Sequence, residues 1–378
     1  MAFYKFSVTV VAMKAGKLRK LSLAALLSLA LAVPMTGGSC AAAENLVNMQ
    51  PTYRDVVVAN VQNDNGAPRQ LRMNVFVPPK ANGEKIPVLV FVHGGGWARG
   101  TYEGDDAKQS AAKVVQRGNN ALMDKDNKSS YKIFKDVLNH GIAFVSVDYR
   151  LNSEAAFPAQ IYDVKAAVRF VRAHADEYGL DAERIAIAGT SAGAHLAAEL
   201  AVTSGNKELE GNEGGNLDYS SNVKACVDYY GPTNLLTMAP EMSTKLQDPA
   251  QAAETHDSIR ANESILLGFV GEGQGVGTLR KVAEAQDKTS PYWKMVELAK
   301  LASPVYQVTK DAPPFFIAHG GHDSLVPIQQ SISLQKALTD AGVENLFMCN
   351  SEAQHGYVGE DTNKAMMRWL CRQLGVNY

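Results

Sequence analysis

The stretch that decides the fold is Ile185-Ala-Ile-Ala-Gly189-Thr190-Ser191-Ala192-Gly193-Ala194-His195, which continues as LAAELAV to Val202. An apolar run passes through Gly-x-Ser-x-Gly and becomes rich in Ala and Leu at helical spacing. That order predicts a buried strand over residues 184–188, a sharp turn at Ser191 and a helix over Ala192–Val202. Such a turn holds a serine in a strained backbone conformation with its hydroxyl exposed. It also requires small residues on both sides, so that strand and helix can approach. Alone, Gly-x-Ser-x-Gly is only moderately specific. The strand before it and the helix after it give it meaning.

Working outward, residues 53–62 (YRDVVVANVQ) and 70–77 (QLRMNVFV) flank Asn63-Asp64-Asn65-Gly66 and read as an antiparallel hairpin. Residues 86–92 (IPVLVFV) are a strand buried on both faces, running into His93-Gly94-Gly95-Gly96-Trp97. Residues 142–147 (IAFVSV) repeat the pattern ahead of Asp148-Tyr149-Arg150-Leu151, and residues 160–178 carry apolar side chains at helical spacing. Beyond Ser191, strands are expected at 223–230, 314–318 and 346–349, and helices at 326–341 and 362–374. This βαβ alternation predicts an α/β fold, a mostly parallel central sheet with helices on both faces, in a single domain over 44–378. Two segments exceed a plain crossover. Residues 101–140 read as one or two helices around a solvated loop. Residues 233–310 read as a helical insertion lying over the strand ends, where an open α/β sheet places its site. The Gly-rich GNEGGN at 211–216 has no strand feeding it and no following Lys-Ser/Thr, so it reads as a surface loop.

The 378 residues are 46% hydrophobic and 20% charged, an ordinary globular composition. The first 43 fall outside that description. Lys14, Lys17, Arg19 and Lys20 precede an apolar run of thirteen residues, followed by Pro34, Gly37, Gly38 and Ala41-Ala42-Ala43. This is the pattern of a cleaved secretory signal peptide, with cleavage near Ala43-Glu44, and it predicts a secreted or periplasmic protein. Met13 is a tidier start for it than Met1. The run is too short for a stable membrane span. Acylation of Cys40 is the less favoured alternative, because Gly37 stands where a lipoprotein box carries an aliphatic residue. The leader holds five basic side chains and no acidic one, so its removal takes the formal charge from −2 to −7. A mildly acidic surface argues against a nucleic-acid partner. Cys226, Cys349 and Cys371 show no metal spacing, and no metal or cofactor is implied. A Cys349–Cys371 bridge is left open, and nothing in the pattern fixes an oligomeric state.

A serine hydroxyl needs a base to take its proton, and the base needs a third group to fix its tautomer. With the nucleophile after a middle strand, acid and base come from later strands, in the order Ser, Asp, His. His195 lies one helical turn past Ser191 and suits packing, and His256 sits in the polar insertion. His319 and His322 flank Asp323, which follows a strand end and is well placed as the acid. Only His355, in Gln354-His355-Gly356-Tyr357, lies beyond that acid, so Ser191, Asp323 and His355 are the expected catalytic set. The oxyanion of such a reaction needs N–H groups converging on one point. Gly95 and Gly96 after the buried strand, with Ala192 at the helix start, are the expected donors. Trp97, next to the glycines, is assigned to substrate binding, with packing behind the loop as the alternative.

His-Gly-Gly-Gly-Trp, Asp148-Tyr-Arg-Leu, Gly-Thr-Ser-Ala-Gly, His-Gly-Gly-His-Asp-Ser-Leu-Val-Pro and Gln-His-Gly-Tyr together resemble the α/β-hydrolase esterases of the hormone-sensitive-lipase-like group. The resemblance runs from about residue 51 to the C-terminus with the motifs in the same order. It implies an α/β-hydrolase fold, Ser191 as nucleophile, His355 as base, Asp323 as acid, and Gly95, Gly96 and Ala192 as oxyanion donors, with His93 bracing the glycine loop. Phe157-Pro158-Ala-Gln-Ile-Tyr-Asp163, Leu209-Glu-Gly211 and Val227-Asp-Tyr-Tyr-Gly231-Pro232-Thr are similar to secreted bacterial feruloyl and acetylxylan esterases. That similarity implies short acyl or feruloyl esters, carried on plant polysaccharide, as substrates. The long 101–140 segment and the Gly-rich 268–277 stretch depart from that subgroup. Two other readings stand beside it. An arylformamidase-like amidase shares the His-Gly-Gly-x-Trp loop, but its substrate is intracellular. A non-catalytic binding protein on a hydrolase fold usually lacks a triad member.

Overall fold

The computed structural model describes residues 45–79, 83–103, 130–242 and 248–378. The leader read at 1–43, with Cys40, lies outside the described residues. Eight strands form one sheet: β1 (Tyr53–Gln62), β2 (Pro68–Phe76), β3 (Ile86–Val92), β4 (Ala143–Val147), β5 (Leu180–Thr190), β6 (Cys226–Tyr229), β7 (Phe315–Gly320) and β8 (Asn345–Asn350). Their spatial order is β1-β2-β4-β3-β5-β6-β7-β8. β1, β2 and β4 pair antiparallel, and every pairing from β4 to β8 is parallel.

The central strands show why an unbroken apolar run was needed. All seven residues of β3 are buried. Because side chains alternate across a strand, Val88, Val90 and Val92 pack on one face with Val164, Val168, Leu196 and Leu200 from the helices Ala159–Ala173 and Ala192–Val202. Leu89 and Phe91 pack on the other, with Phe134, Met366 and Leu370 from the helices Ser130–Lys135 and Glu360–Leu374. Helices therefore cover both faces of the sheet.

Some boundaries move. The expected helix over 160–178 splits into Ala159–Ala173 and Ala175–Tyr178, the second ended by Gly179 at φ 68°. In the 101–140 segment the helix Ser130–Lys135 and the 3-10 turn Asp136–His140 are described, while the expected solvated loop lies outside the described residues. The 233–310 segment carries the helices Met238–Met242, Pro249–His256, Asn262–Leu266, Val276–Glu284 and Trp293–Leu301. Its Leu266, Leu267, Leu279 and Val296 are buried in the cluster that holds the helix Ala192–Val202.

The bridge left open between Cys349 and Cys371 is not made: both thiols are free, as is Cys226. The reason is parity. Met348 packs with the cluster that contains Cys371, so the next residue, Cys349, points to the opposite face of β8. No described helix is long and apolar enough to cross a membrane.

Candidate active site

β5 ends at Thr190, and Ser191 takes φ 52°, ψ −123° before the helix Ala192–Val202 begins. A side chain on Gly189 would run into the backbone of Gly193, and one on Gly193 into the backbone of Val92 and His93. The two glycines thus let the helix cross directly over the ends of β5 and β3. Ser191 N donates to Tyr229 O at 2.9 Å, which fixes the turn against β6.

The other two members arrive from the ends of β7 and β8. Their loops are tightly joined: Gly321 N donates to Asn350 O at 2.8 Å and His322 N to Ala353 O at 2.9 Å. His355 Nε2 lies 3.0 Å from Ser191 Oγ, and His355 Nδ1 lies 2.7 Å from Asp323 Oδ2. Asp323 is wholly buried. Its Oδ1 accepts from the amides of Leu325 (2.8 Å) and Val326 (2.9 Å), and its Oδ2 also meets His319 Nε2 at 3.2 Å. Burial alone would raise this carboxyl, but the charge of His355 and the bonds from His319 and His355 outweigh it and hold the group well below the usual range. The Tyr230 ring packs edge-on against His355, with centroids 4.6 Å apart. In this geometry the imidazole is able to take a proton from Ser191 while a fixed anion stabilises the imidazolium.

Next to the serine, where a Cβ on Gly94 would stand 3.5 Å from Ser191 Cβ, the chain leaving β3 has positive φ at Gly95 (105°), Gly96 (62°) and Trp97 (57°). A side chain on Gly95 would collide with the backbone of Arg99. The amides of Gly95 and Gly96 have no acceptor among the described residues. The amide of Ala192 opens its helix and precedes the first intrahelical bond. These three N–H groups are therefore without a backbone acceptor among the described residues. The loop is braced from behind: the His93 ring stacks on Tyr149 at 4.3 Å, Tyr149 OH donates to His93 O at 3.1 Å, and His93 Nδ1 lies 2.9 Å from Gly94 O.

The substrate-binding assignment of Trp97 does not fit its placement. Its ring is 2% exposed, and its indole N–H donates to His195 Nδ1 at 3.2 Å. His195 donates its one ring N–H, on Nε2, to Ala302 O at 2.8 Å. Burial depresses its pKa to about 4, so it is a neutral bracket joining the glycine loop, the helix Ala192–Val202 and the end of the insertion. This is the packing role expected for it.

Sequence reasoning missed three contributions. His319 is a second imidazole on Asp323; its Nε2 also donates to Val326 O (2.9 Å), which leaves Nδ1 to accept from Ser331 Oγ (2.7 Å). Its place four residues before Asp323 was the available signal. Arg150 holds Asp163 through Nη2 (2.7 Å), Nε (2.9 Å) and its backbone N (2.8 Å), so the Asp148-Tyr-Arg-Leu motif fastens the loop after β4 to the helix Ala159–Ala173. Within the insertion, Asn262 sits beside Gly96 and His256 pairs with Glu263. No local signal marks those contacts. Among the described residues no cluster of three His, Cys, Asp or Glu is arranged to hold a metal ion.

The eight-stranded, mostly parallel sheet, with a strained serine at the end of β5 and a buried Asp–His pair from the loops after β7 and β8, is the α/β-hydrolase fold. The BD-FAE family model matches residues 118–338, a span that holds Ser191 and Asp323 and stops before His355. The chain belongs to the BD-FAE family. It is 29% identical over 265 residues to the esterase LipQ of Mycobacterium tuberculosis, covering 70% of this chain and 48% of that protein. The chain spans about half the length of the curated relatives it matches. Among solved structures, a truncated carbohydrate esterase from gut microbiota aligns over 86% of this chain and all of its own length, at 25% identity and TM-score 0.60. A bifunctional GH43-CE protein of Bacteroides eggerthii aligns over 85% of this chain and 35% of its own, at 29% identity and TM-score 0.62. The resemblance to α/β-hydrolase esterases seen in the motifs is thus also what the comparisons find.

Proposed function

We propose that the protein is an exported serine carboxylesterase acting on short acyl or feruloyl esters, carried on plant polysaccharide. The observation that carries the reading is the continuous hydrogen-bonded chain from Asp323 through His355 to Ser191. His355 takes the hydroxyl proton as Ser191 Oγ attacks the ester carbonyl. The amides of Gly95, Gly96 and Ala192 receive the charge that develops on the carbonyl oxygen. The tetrahedral adduct collapses, His355 returns the proton to the departing alcohol, and the acyl group stays on Ser191. Water activated by the same imidazole then releases the acid. Export rests on the leader-like pattern of residues 1–43. The carbohydrate part rests on the similarity to a protein described as a carbohydrate esterase.

The test is initial rates on p-nitrophenyl acetate, butyrate and octanoate and on methyl ferulate. Ser191→Ala is expected to lower kcat by a factor on the order of 10⁶. A wild type inactive on all four, or a variant that keeps its rate, overturns the reading. Release of acetate from acetylated xylan tests the polysaccharide part separately, and release no faster than background removes it.

A further inference from the structure

The insertion brings an exposed carboxamide to the rim of the glycine loop. Asn262 begins the helix Asn262–Leu266, its side chain is exposed, and its Nδ2 lies 2.6 Å from where a Cβ on Gly96 would stand. A glycine at position 96 is therefore what makes room for this amide on the glycine loop. The placement is held from two sides. Asn262 O accepts from Asn152 Nδ2 at 3.4 Å, and Asn152 N donates to Trp97 O at 2.8 Å. The following residue, Glu263, is buried with His256, and the two side chains meet at 2.8 Å. Burial would lower the His256 imidazole, but Glu263, together with the fields of Asp257 and Asp323, raises it. The Asn262 carboxamide itself has no protein partner among the described residues.

A carboxamide at that position loses its water when an ester settles over Ser191, and a polar group left unpaired at a closed site is costly. A short acyl chain has nothing to offer it. A hydroxyl on the alcohol's carbon next to the esterified one does. We infer that Asn262 recognises the alcohol half of the ester by hydrogen-bonding such a neighbouring hydroxyl, which selects polyol alcohols such as sugars. The inference rests on the esterase reading and names its alcohol specificity.

The experiment compares glycerol 1-acetate with propyl acetate, which differ only in hydroxyls, for wild type, Asn262→Ala and Asn262→Leu. Wild type is expected to favour the glycerol ester in kcat/KM, and the ratio of the two esters is expected to fall about tenfold in both variants. Equal losses on both esters would mean that Asn262 only supports the loop, and would overturn the inference. So would a wild type that hydrolyses both without preference, which leaves the esterase reading standing. A wild type inactive on both removes the esterase reading and this one with it.

Discussion

Asp323 and Glu199 are both carboxyls with no exposure to solvent, one on the loop after β7 and the other inside the helix Ala192–Val202. Asp323 receives two backbone amides and two imidazoles and is held as an anion. Among the described residues neither oxygen of Glu199 has a hydrogen-bond partner, and burial pushes its pKa well above the usual value despite the nearby charge of Lys165. Burial is the same, yet one group is an anion and the other is pushed toward its neutral form. What differs is the set of donors around each group, above all the charge of His355 and the two imidazoles bonded to Asp323. His195, one helical turn before Glu199, is the intermediate case, with both ring nitrogens bonded and no charge.

The largest test removes the charge that the donors create. Asp323→Asn preserves the shape but loses the anion and disturbs the tautomer of His355, so kcat is expected to fall by a factor on the order of 10⁴. Its stability has a definite sign with pH. Because the folded carboxyl is depressed, its contribution is present above the unfolded pKa of about 3.9 and disappears as pH falls through the folded value. The deficit of the variant in Tm should therefore be full at pH 7 and shrink in acid. Equal deficits at pH 7 and pH 3 would show that the charge is not what stabilises.

A second test turns the bracket into an orphan. Trp97→Phe takes the indole N–H from His195 Nδ1 and leaves that nitrogen buried without a donor, as the Glu199 oxygens are. The expected cost is about 1–3 kcal/mol, measured as a lower urea midpoint at unchanged slope. An unaltered midpoint would remove the bracket role.

The smallest effect is on Glu199→Gln. A carboxyl raised on folding stays protonated while the unfolded chain ionises, so the wild type loses stability as pH rises above the ordinary value of 4.5. Glutamine has no such slope. The difference in Tm between variant and wild type should grow in favour of the variant from pH 4 to pH 7. A constant difference would mean that Glu199 is ionised in the folded protein.

The elements legible in the sequence are those whose signal is local. The unbroken run of β3, the hairpin around Asn63 to Gly66 and the strand–serine–helix stretch each fix their own conformation, and chain order then left His355 and Asp323 as the partners of Ser191. The Asp248-Pro249 pair was a usable start signal for the helix Pro249–His256, since Asp248 caps it by accepting from Ala250 N, and the loose polar pattern of the insertion hid it. The direction of Trp97, the second imidazole on Asp323 and the faces of Cys349 and Cys371 depend on backbone sign, rotamer and sheet parity. Those are settled only when distant segments pack.

Ser191 and His355, which meet at 3.0 Å, are 164 residues apart in the chain. A ribosome therefore delivers the hydroxyl, with its glycine loop, long before the imidazole exists. Any intermediate that has not yet laid β8 beside β7 has a serine in place and no base for it. On the proposed reaction, turnover thus begins only once β8 lies beside β7 and brings His355 to Ser191.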